Sequence, residues 1–259
     1  LDVNNLAPLL TVAGTIFAYF SILIISFGDF SRYVKSEQEL KKGNLSLILN
    51  LIIFSFLSVF IVTGSDVFLN QKFSDIDRIF TNPTDIVGKF DNIQITIVVL
   101  FFIIIASAST NLVANFIPSQ YSLINFAPSI LSLKSASYLI AFFGLLIAIF
   151  WLTILSQIGI LSFVDTFGAF FGPLFGVMAA DYYLIKNQEL SNKDLYSIDK
   201  ESAYYYSGGW HIKGVYSLIL GFIFSASTIW NTNLMFLQSY AWIIGAFVAW
   251  ITYYLLAKK

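Results

Sequence analysis

Long stretches without Asp, Glu, Lys or Arg dominate this sequence. The two longest, residues 92–133 and 214–257, run for 42 and 44 residues. A helix needs about 20 apolar residues to cross the hydrocarbon core of a bilayer, so each stretch exceeds one crossing. Only 11% of the chain is charged and 58% is hydrophobic, whereas soluble domains carry about 25% charge. The sequence therefore predicts an all-α polytopic membrane protein, and it excludes a disordered chain or an ordinary soluble domain.

Turn signals divide these stretches into about seven spanning helices. Asn231-Thr232-Asn233 splits the last stretch, and a turn near Gln157-Ile158-Gly159 separates two earlier helices. Pro118 and Pro128 are expected to break the tail of the third helix into a loop or a short interfacial segment. The expected helices are 8–27, 44–64, 93–116, 136–155, 160–185, 214–230 and 234–257.

The distribution of Lys and Arg predicts the orientation, because these residues concentrate in cytoplasmic loops. The odd-numbered connections and the C-terminus hold eleven of them, and the even-numbered connections hold three. The C-terminus and the connection 186–213 are therefore expected in the cytoplasm. The connection 65–92 is expected outside, with possible helix starts at Ser74-Asp75 and Pro83-Thr84-Asp85. This describes an integral protein of the plasma (inner) membrane.

The beginning of the chain and its rarest residues set further expectations. We expect one transmembrane domain, residues 1–259, that belongs to a longer protein, because the N-terminus is predicted outside, the number of spans is odd, and Leu1 stands in place of Met.

Cysteine is absent and His211 is the only histidine in the sequence. The sequence therefore lacks the residues for a thiolate metal site or a His-based catalytic set. The net charge of -1 offers no basic face to nucleic acid. We expect neither an enzyme nor a nucleic-acid partner.

The third predicted helix holds the most polar run at membrane depth, residues 106–115. Ala106, Ser109 and Thr110 fall at i, i+3 and i+4 and share one face. Two hydroxyls and a carbonyl form a hard oxygen set of the kind that suits Na⁺. Helix packing explains Ser109 and Thr110 equally well. Asn111 and Asn115 form a second stripe, and a buried amide without a partner costs about 1–3 kcal/mol, which favours a ligand at Asn115.

The first predicted helix offers a second candidate site. It contains Gly14 and the run Ala18-Tyr19-Phe20-Ser21, and transporters often place their site where a spanning helix is broken near the midplane. Phe20 has a face on which a planar ligand could stack, although packing or contact with lipid is the commoner role for one of 27 Phe residues.

Other motifs lie near predicted helix ends or on the fifth helix. Asp29 and Arg32, inside the run 28–33, stand at i, i+3 and are expected to pair at an interfacial helix end. The fifth helix carries Gly172-Pro173 among other small residues, which indicates close helix contacts or a flexible gating helix. Asp181 is expected at the interface, and Asp165, nearer the outer end, is either an interfacial residue or a functional candidate within the membrane.

Taken together, four segments resemble the nucleobase:cation symporter-1 family, whose members carry cytosine, uracil, purines, allantoin, thiamine and hydantoins. The last two segments are the more specific, since composition alone seldom produces them. The segments are Gly28-Asp29-Phe30-Ser31-Arg32-Tyr33, Ser109-Thr110-Asn111 with Asn115, the run 172–183 from Gly-Pro to Asp-Tyr-Tyr, and Asp194-Leu195-Tyr196 followed by Tyr206-Ser207-Gly208-Gly209.

The resemblance implies a leucine-transporter-type fold of twelve helices, with two inverted five-helix repeats and two extra helices. This chain looks like helices six to twelve, which are the second repeat and the two extra helices. The N-terminal half of the same protein, with part of both sites, would then be missing from residues 1–259.

The resemblance also implies roles for individual residues. Ala106, Ser109 and Thr110 correspond to half of a sodium site, and Asn115 to the amide that bonds the substrate ring. Phe20 stands where sodium-coupled hydantoin transporters have a stacking Trp, and Tyr19 where they have Gly, which leaves the exact substrate open. The expected protein is a symporter in membrane lipid that imports a nitrogen heterocycle, without a cofactor, and is coupled to Na⁺ rather than H⁺. The alternatives are a carrier of the same fold for an amino acid or osmolyte, and a non-transporting receptor or assembly subunit.

Overall fold

A computed structural model describes residues 6–72, 82–89, 91–150, 160–195, 197 and 199–258. Within these residues the regular structure is helical, apart from one isolated bridge between Ser207 and Trp210. Several predicted features lie outside the described residues: the turn at 157–159, the helix end near Leu155, the helix start at 74–75, and Tyr196.

The described helices are numbered here in chain order. They are α1 (Leu6–Ile25), α2 (Phe27–Ser31), α3 (Glu37–Lys72), α4 (Pro83–Val87), α5 (Ile93–Asn111), α6 (Ile117–Phe126), α7 (Leu133–Phe150), α8 (Ile160–Ala180), α9 (Asn192–Leu195), α10 (Ile212–Trp230) and α11 (Ala241–Ala257). Two π-helical turns, Leu112–Phe116 and Asp181–Ile185, and a 3₁₀ helix, Thr232–Tyr240, join some of them.

Seven helical stretches among the described residues are long and apolar enough to cross a membrane, which confirms the predicted number. The predicted orientation and the inverted-repeat topology stay predictions. The seven stretches are Pro8–Ile25, Glu37–Leu69, Ile93–Phe126, Leu133–Phe150, Asp165–Ile185, Ile212–Trp230 and Thr232–Ala257.

The third span does not break at Pro118, and that part of the prediction is wrong. Proline has no N–H, and in a regular α-helix its ring crowds the carbonyl four residues earlier. The π-helical turn Leu112–Phe116 precedes it, with the Ile117 N–H bonded to the Leu112 carbonyl. This wider turn accommodates the ring of Pro118, so α6 continues to Phe126.

The second span is longer than predicted at both ends. Ser36 accepts a hydrogen bond from the Glu39 backbone N–H at 3.3 Å and begins α3 ahead of the charged residues. The prediction counted only residues after Lys42 and therefore started too late. At the other end, residues 65–72, predicted as part of the outer connection, are helical.

Two predicted local features are confirmed. The Asn231 side chain accepts from the Asn233 N–H at 3.0 Å, which ends α10 and starts the 3₁₀ helix. Before α4, the Asn82 side chain accepts from the Thr84 N–H at 3.1 Å, and Pro83 occupies the first turn, where its missing N–H costs nothing.

The described residues fall into two compact units. The first unit comprises Leu1–Phe27 and Phe142–Lys259, and the second comprises Gly28–Ala141. In the first unit α8 packs against α1, α10 and α11. Along α3, in the second unit, large apolar side chains such as Phe54 and Phe60 are exposed, as suits a surface that meets lipid.

Glycines control the packing of the first unit, because backbone touches backbone. A Cβ on Gly172 would lie 2.3 Å from the Trp242 carbonyl oxygen, and one on Gly176 would lie 2.1 Å from that of Ala246. Both glycines stand on α8, and both carbonyls belong to α11. Small residues give membrane helices this close approach and the van der Waals contact that comes with it.

The first helix is anchored in the same way. Helix α1 runs without a break through Gly14 and Phe20, so the helix break considered for this span is not present. Gly14 instead lets α1 approach the Ser239 carbonyl oxygen, which would lie 1.8 Å from a Cβ at that position.

The variant Gly176→Ala should destabilise the full-length protein. Its new methyl group would meet a carbonyl of α11 that cannot move independently, and such overpacking costs about 1–3 kcal/mol. Thermal unfolding of the purified protein measures the effect as a lowered Tm.

Gly144→Ala is the matched control, because a Cβ at Gly144 on α7 has nothing within 4 Å. Replacement of a helical glycine by alanine at this position should stabilise the folded protein by about 0.5–1 kcal/mol. Equal Tm changes in the two variants would contradict the close contact of α8 with α11.

Candidate substrate and ion site

The predicted site residues divide between the two units. Tyr19 and Phe20 stand on α1 in the first unit, whereas residues 106–115 stand on α5 and the π-helical turn after it in the second. The structure therefore brings together the members of each group.

On α1, the two predicted ligand-binding rings contact each other. The rings of Tyr19 and Phe20 meet edge to face with centroids 5.3 Å apart. Tyr19 is 65% exposed, while Phe20 is half-buried. The pair presents aromatic surface and a phenol hydroxyl, the combination that suits a flat polar ring.

The packed face of α1 sets the direction in which the exposed Tyr19 ring points. Ser21 is fully buried, and its hydroxyl donates to the Phe17 carbonyl at 2.8 Å. The Phe17 ring stacks on Trp242 of α11 with centroids 5.6 Å apart. The rotation of α1 about its axis is thereby fixed.

The oxygen set of α5 is present in the predicted arrangement. The Ser109 hydroxyl donates to the Ala106 carbonyl at 3.0 Å, so these two oxygens are adjacent. The Ser109 oxygen can still accept, whereas the Ala106 carbonyl uses one lone pair for Ser109 and the other for the Thr110 backbone N–H of the helix. For the Thr110 hydroxyl, the described part of the chain provides no hydrogen-bond partner. The two hydroxyl oxygens can therefore accept an additional contact.

Asn115 is paired with a residue that was not among the predicted site residues. Its side-chain N–H donates to the Asn111 carboxamide oxygen at 2.6 Å. This leaves the Asn115 oxygen and one of its N–H groups for another partner. The i, i+4 spacing of the two asparagines was visible in the sequence, but the direction of the hydrogen bond was not.

This amide pair stands on the π-helical turn Leu112–Phe116. Turns of this kind inside α-helices are frequent at functional sites. Here the turn follows from Pro118, as described above, and it places Asn115 at the wide part of the spanning helix. The sequence signal for this π-helical turn was thus Pro118, which stands three residues after Asn115.

The motif 28–33 forms a separate cluster in the second unit. Arg32 pairs with Asp29 at 3.0 Å, as predicted, and its guanidinium lies 4.1 Å from the centre of the Tyr121 ring on α6. The hydroxyls of Tyr33 and Tyr121 are hydrogen-bonded to each other. Sequence analysis missed Tyr121, because no local pattern connects it to a motif 88 residues earlier.

A polar pair also lies inside the first unit. The Gln238 side chain donates to Asp165 at 2.7 Å, which ties the 3₁₀ helix to the start of the fifth span. Asp165 thus has a hydrogen-bonded partner, and sequence analysis had not identified Gln238 as that partner.

Known proteins resemble this chain over 54% to 94% of its length. An allantoin permease of Bacillus subtilis is 28% identical over 94% of the chain and 48% of its own length. A purine-uracil permease of Arabidopsis thaliana is 26% identical over 93% of the chain and 41% of its own length. A hydantoin permease of Microbacterium maritypicum is 29% identical over 54% of the chain and 28% of its own length. No solved structure matches the chain.

The chain thus spans about half the length of the first two of these relatives. A family model described as permease for cytosine/purines, uracil, thiamine and allantoin matches residues 2–255. The family consists of permeases rather than enzymes, and its match agrees with the seven apolar helices of an integral membrane protein. We conclude that the chain belongs to the family of permeases for cytosine and purines, uracil, thiamine and allantoin.

Proposed function

We propose that the protein is a symporter that imports a nucleobase or a related nitrogen heterocycle by alternating access. The observation that carries this proposal is the Asn111–Asn115 amide pair on the π-helical turn of a spanning helix. It offers directional hydrogen bonds at membrane depth, in a chain that belongs to a family of permeases.

The free edge of Asn115 suggests the kind of ring that binds. A carbonyl oxygen beside an N–H is complementary to a ligand edge that has an N–H beside a carbonyl. Uracil, allantoin and hydantoin all carry such an edge, and each is named in a relative or in the family description. The resemblance to the family also supports Tyr19 and Phe20 as substrate-binding residues, and the two rings form an aromatic surface on α1.

The coupling ion that we propose is Na⁺, with Ala106, Ser109 and Thr110 as half of its ligands. Backbone carbonyl oxygens of spanning helices coordinate Na⁺ in transporters, and hydroxyl oxygens are hard ligands of the same kind. The free Thr110 hydroxyl and the adjacent Ser109 and Ala106 oxygens fit this chemistry. The remaining ligands would come from the N-terminal half of a leucine-transporter-type fold.

The membrane potential would drive accumulation of an uncharged substrate. One positive charge that moves inward gains about 2.3 kcal/mol per 100 mV. Since about 1.4 kcal/mol corresponds to a tenfold change, one Na⁺ supports roughly 50-fold accumulation from the potential alone. Na⁺ bound between the two repeats would hold the outward-open form and order the substrate site before the protein closes.

A direct test is uptake of labelled compounds by cells that express the full-length protein. The compounds are cytosine, uracil, hypoxanthine, allantoin, thiamine and one amino acid, each with Na⁺ and with choline in its place. We expect Na⁺-dependent uptake of one ring compound. Uptake that does not depend on Na⁺ but is abolished by a protonophore would contradict the proposed Na⁺ site. It would still agree with membership of the permease family. Uptake of the amino acid alone would favour a carrier of the same fold for another solute.

Asn115→Ala should weaken substrate binding by about 1–3 kcal/mol, which is roughly 5-fold to 150-fold, because a hydrogen bond to the ring edge is lost. Competition against a labelled substrate measures the change. Asn50→Ala is the matched control, since among the described residues the Asn50 amide bonds to Ser46 alone, on its own helix α3. Wild-type affinity in Asn115→Ala would rule out the proposed contact.

Thr110→Ala should raise the Na⁺ concentration needed for half-maximal uptake, whereas Thr110→Ser, which keeps the hydroxyl, should not. Thr63→Ala serves as the control, because the Thr63 hydroxyl bonds to the Val59 carbonyl of its own helix. A sodium titration identical to wild type in Thr110→Ala would count against the site.

A further inference from the structure

The ends of three spans meet at a cluster that the proposed transport site does not use. Helix α8 and its π-helical turn end there at Ile185, α10 begins at Ile212, and α11 ends at Ala257. A cavity of about 290 Å³ lies between them, and its polar walls include Asp181, Lys186, Tyr206, His211, Lys213 and Tyr253.

A chain of hydrogen bonds crosses this cluster. The Tyr253 hydroxyl on α11 donates to Asp181 at 2.6 Å and lies 3.2 Å from the His211 Nε2 atom. A phenol has one hydrogen, and Tyr253 gives it to Asp181. His211 must therefore carry its own hydrogen on Nε2 and donate to the Tyr253 oxygen. Tyr253 is 1% exposed, so this chain is shielded from competing water.

The other side of the imidazole contacts Tyr206 and the start of α10, without a hydrogen bond from its ring to that helix. The ring stacks on Tyr206 with centroids 3.9 Å apart and an angle of 16° between the planes. Nδ1 lies against the first turn of α10, where a Cβ added to Gly214 would be 3.0 Å from it. The backbone N–H groups of a first helical turn carry partial positive charge. A neutral ring presents a lone pair there, whereas a protonated ring presents a second N–H.

Each element that packs against His211 contributes a charged or titratable side chain to its surroundings. Asp181 stands on the π-helical turn of the fifth span and Lys186 directly after it, Tyr206 on the preceding loop, Lys213 on α10, and Tyr253 on α11. Burial lowers the pKa of His211, and Lys186 and Lys213 lower it further, while Asp181 acts in the opposite direction. The surroundings thus favour the neutral ring.

We propose that His211 is a proton-responsive clamp: as a neutral ring it ties the three helix ends together, and protonation loosens them. Protonation would place an N–H on Nδ1 against the positive end of α10 and near two lysines. The clamp is independent of the proposed transport activity, since it contains none of the residues assigned to substrate or Na⁺.

The direction of the pH effect follows from linkage. Because the pKa of His211 is lower in the folded protein than in the unfolded chain, the unfolded chain binds more protons between the two values. The clamp is therefore at full strength above the ordinary histidine pKa of about 6.5 and weakens as the pH falls through the folded value. Mild acid should destabilise the protein through this one residue.

Thermal unfolding of the full-length protein at pH 7.5 and pH 5.5 tests the proposal. His211→Gln keeps a neutral donor in place of Nε2–H but cannot titrate. We expect the wild-type Tm to fall with acid by about 1 °C or more beyond the fall in His211→Gln, which is the scale of one weakened hydrogen bond in a large protein. An acid-induced fall of the same size in both proteins would overturn the clamp.

A second pair of variants keeps the test decisive if His211→Gln does not fold. Tyr253→Phe removes the hydroxyl between His211 and Asp181, so it should lower the Tm at pH 7.5 and shrink the response to acid. Tyr216→Phe makes the same chemical change at an exposed position on α10 and should do neither. A full wild-type response to acid in Tyr253→Phe would also overturn the proposal.

Discussion

Direct contact between the backbones of α8 and α11 is the constraint on which the first unit depends. Lipid is as apolar as a leucine side chain, so hydrophobic burial does little to hold membrane helices together, and close van der Waals contact takes its place. Gly172 and Gly176 leave no space for even one methyl group against the carbonyls of α11. Because Trp242 is held there, it can receive Phe17, and the orientation of α1 with Tyr19 and Phe20 follows.

Each of the two π-helical turns stands where the chain carries polar chemistry. One bears Asn115 and Asn111, and the other begins at Asp181 and leads into the cluster around His211. A π-helical turn has poorer backbone geometry than an α-helix, and it persists where the surrounding sequence requires it. The first has a local cause in Pro118. For the second, the described contacts give no equivalent cause.

The number of spans could be read from the sequence because hydropathy is a local property and each span needs a fixed length. The Ser109-Thr110-Asn115 pattern was likewise visible, since it depends only on helical periodicity. The role of Gly14 was not, because it depends on a carbonyl at Ser239 that no spacing rule connects to it. Tyr121 and Tyr253 were missed for the same reason: each meets its partner across tens of residues. Ser36 was missed because counting charge-free residues ignores helix capping.

The π-helical turn at Leu112–Phe116 also has a consequence for sequence alignment within the family. Such a turn accommodates one residue more than an α-helical turn does, and each residue rotates an α-helix by about 100°. A relative that lacks one residue between 112 and 116 would form a regular helix there, and every later side chain of the span would face a different direction. An aligned asparagine would then no longer be a structurally equivalent one. A single-residue gap between positions 112 and 116 therefore indicates that two relatives differ in the geometry of this site, even where their aligned site residues are identical.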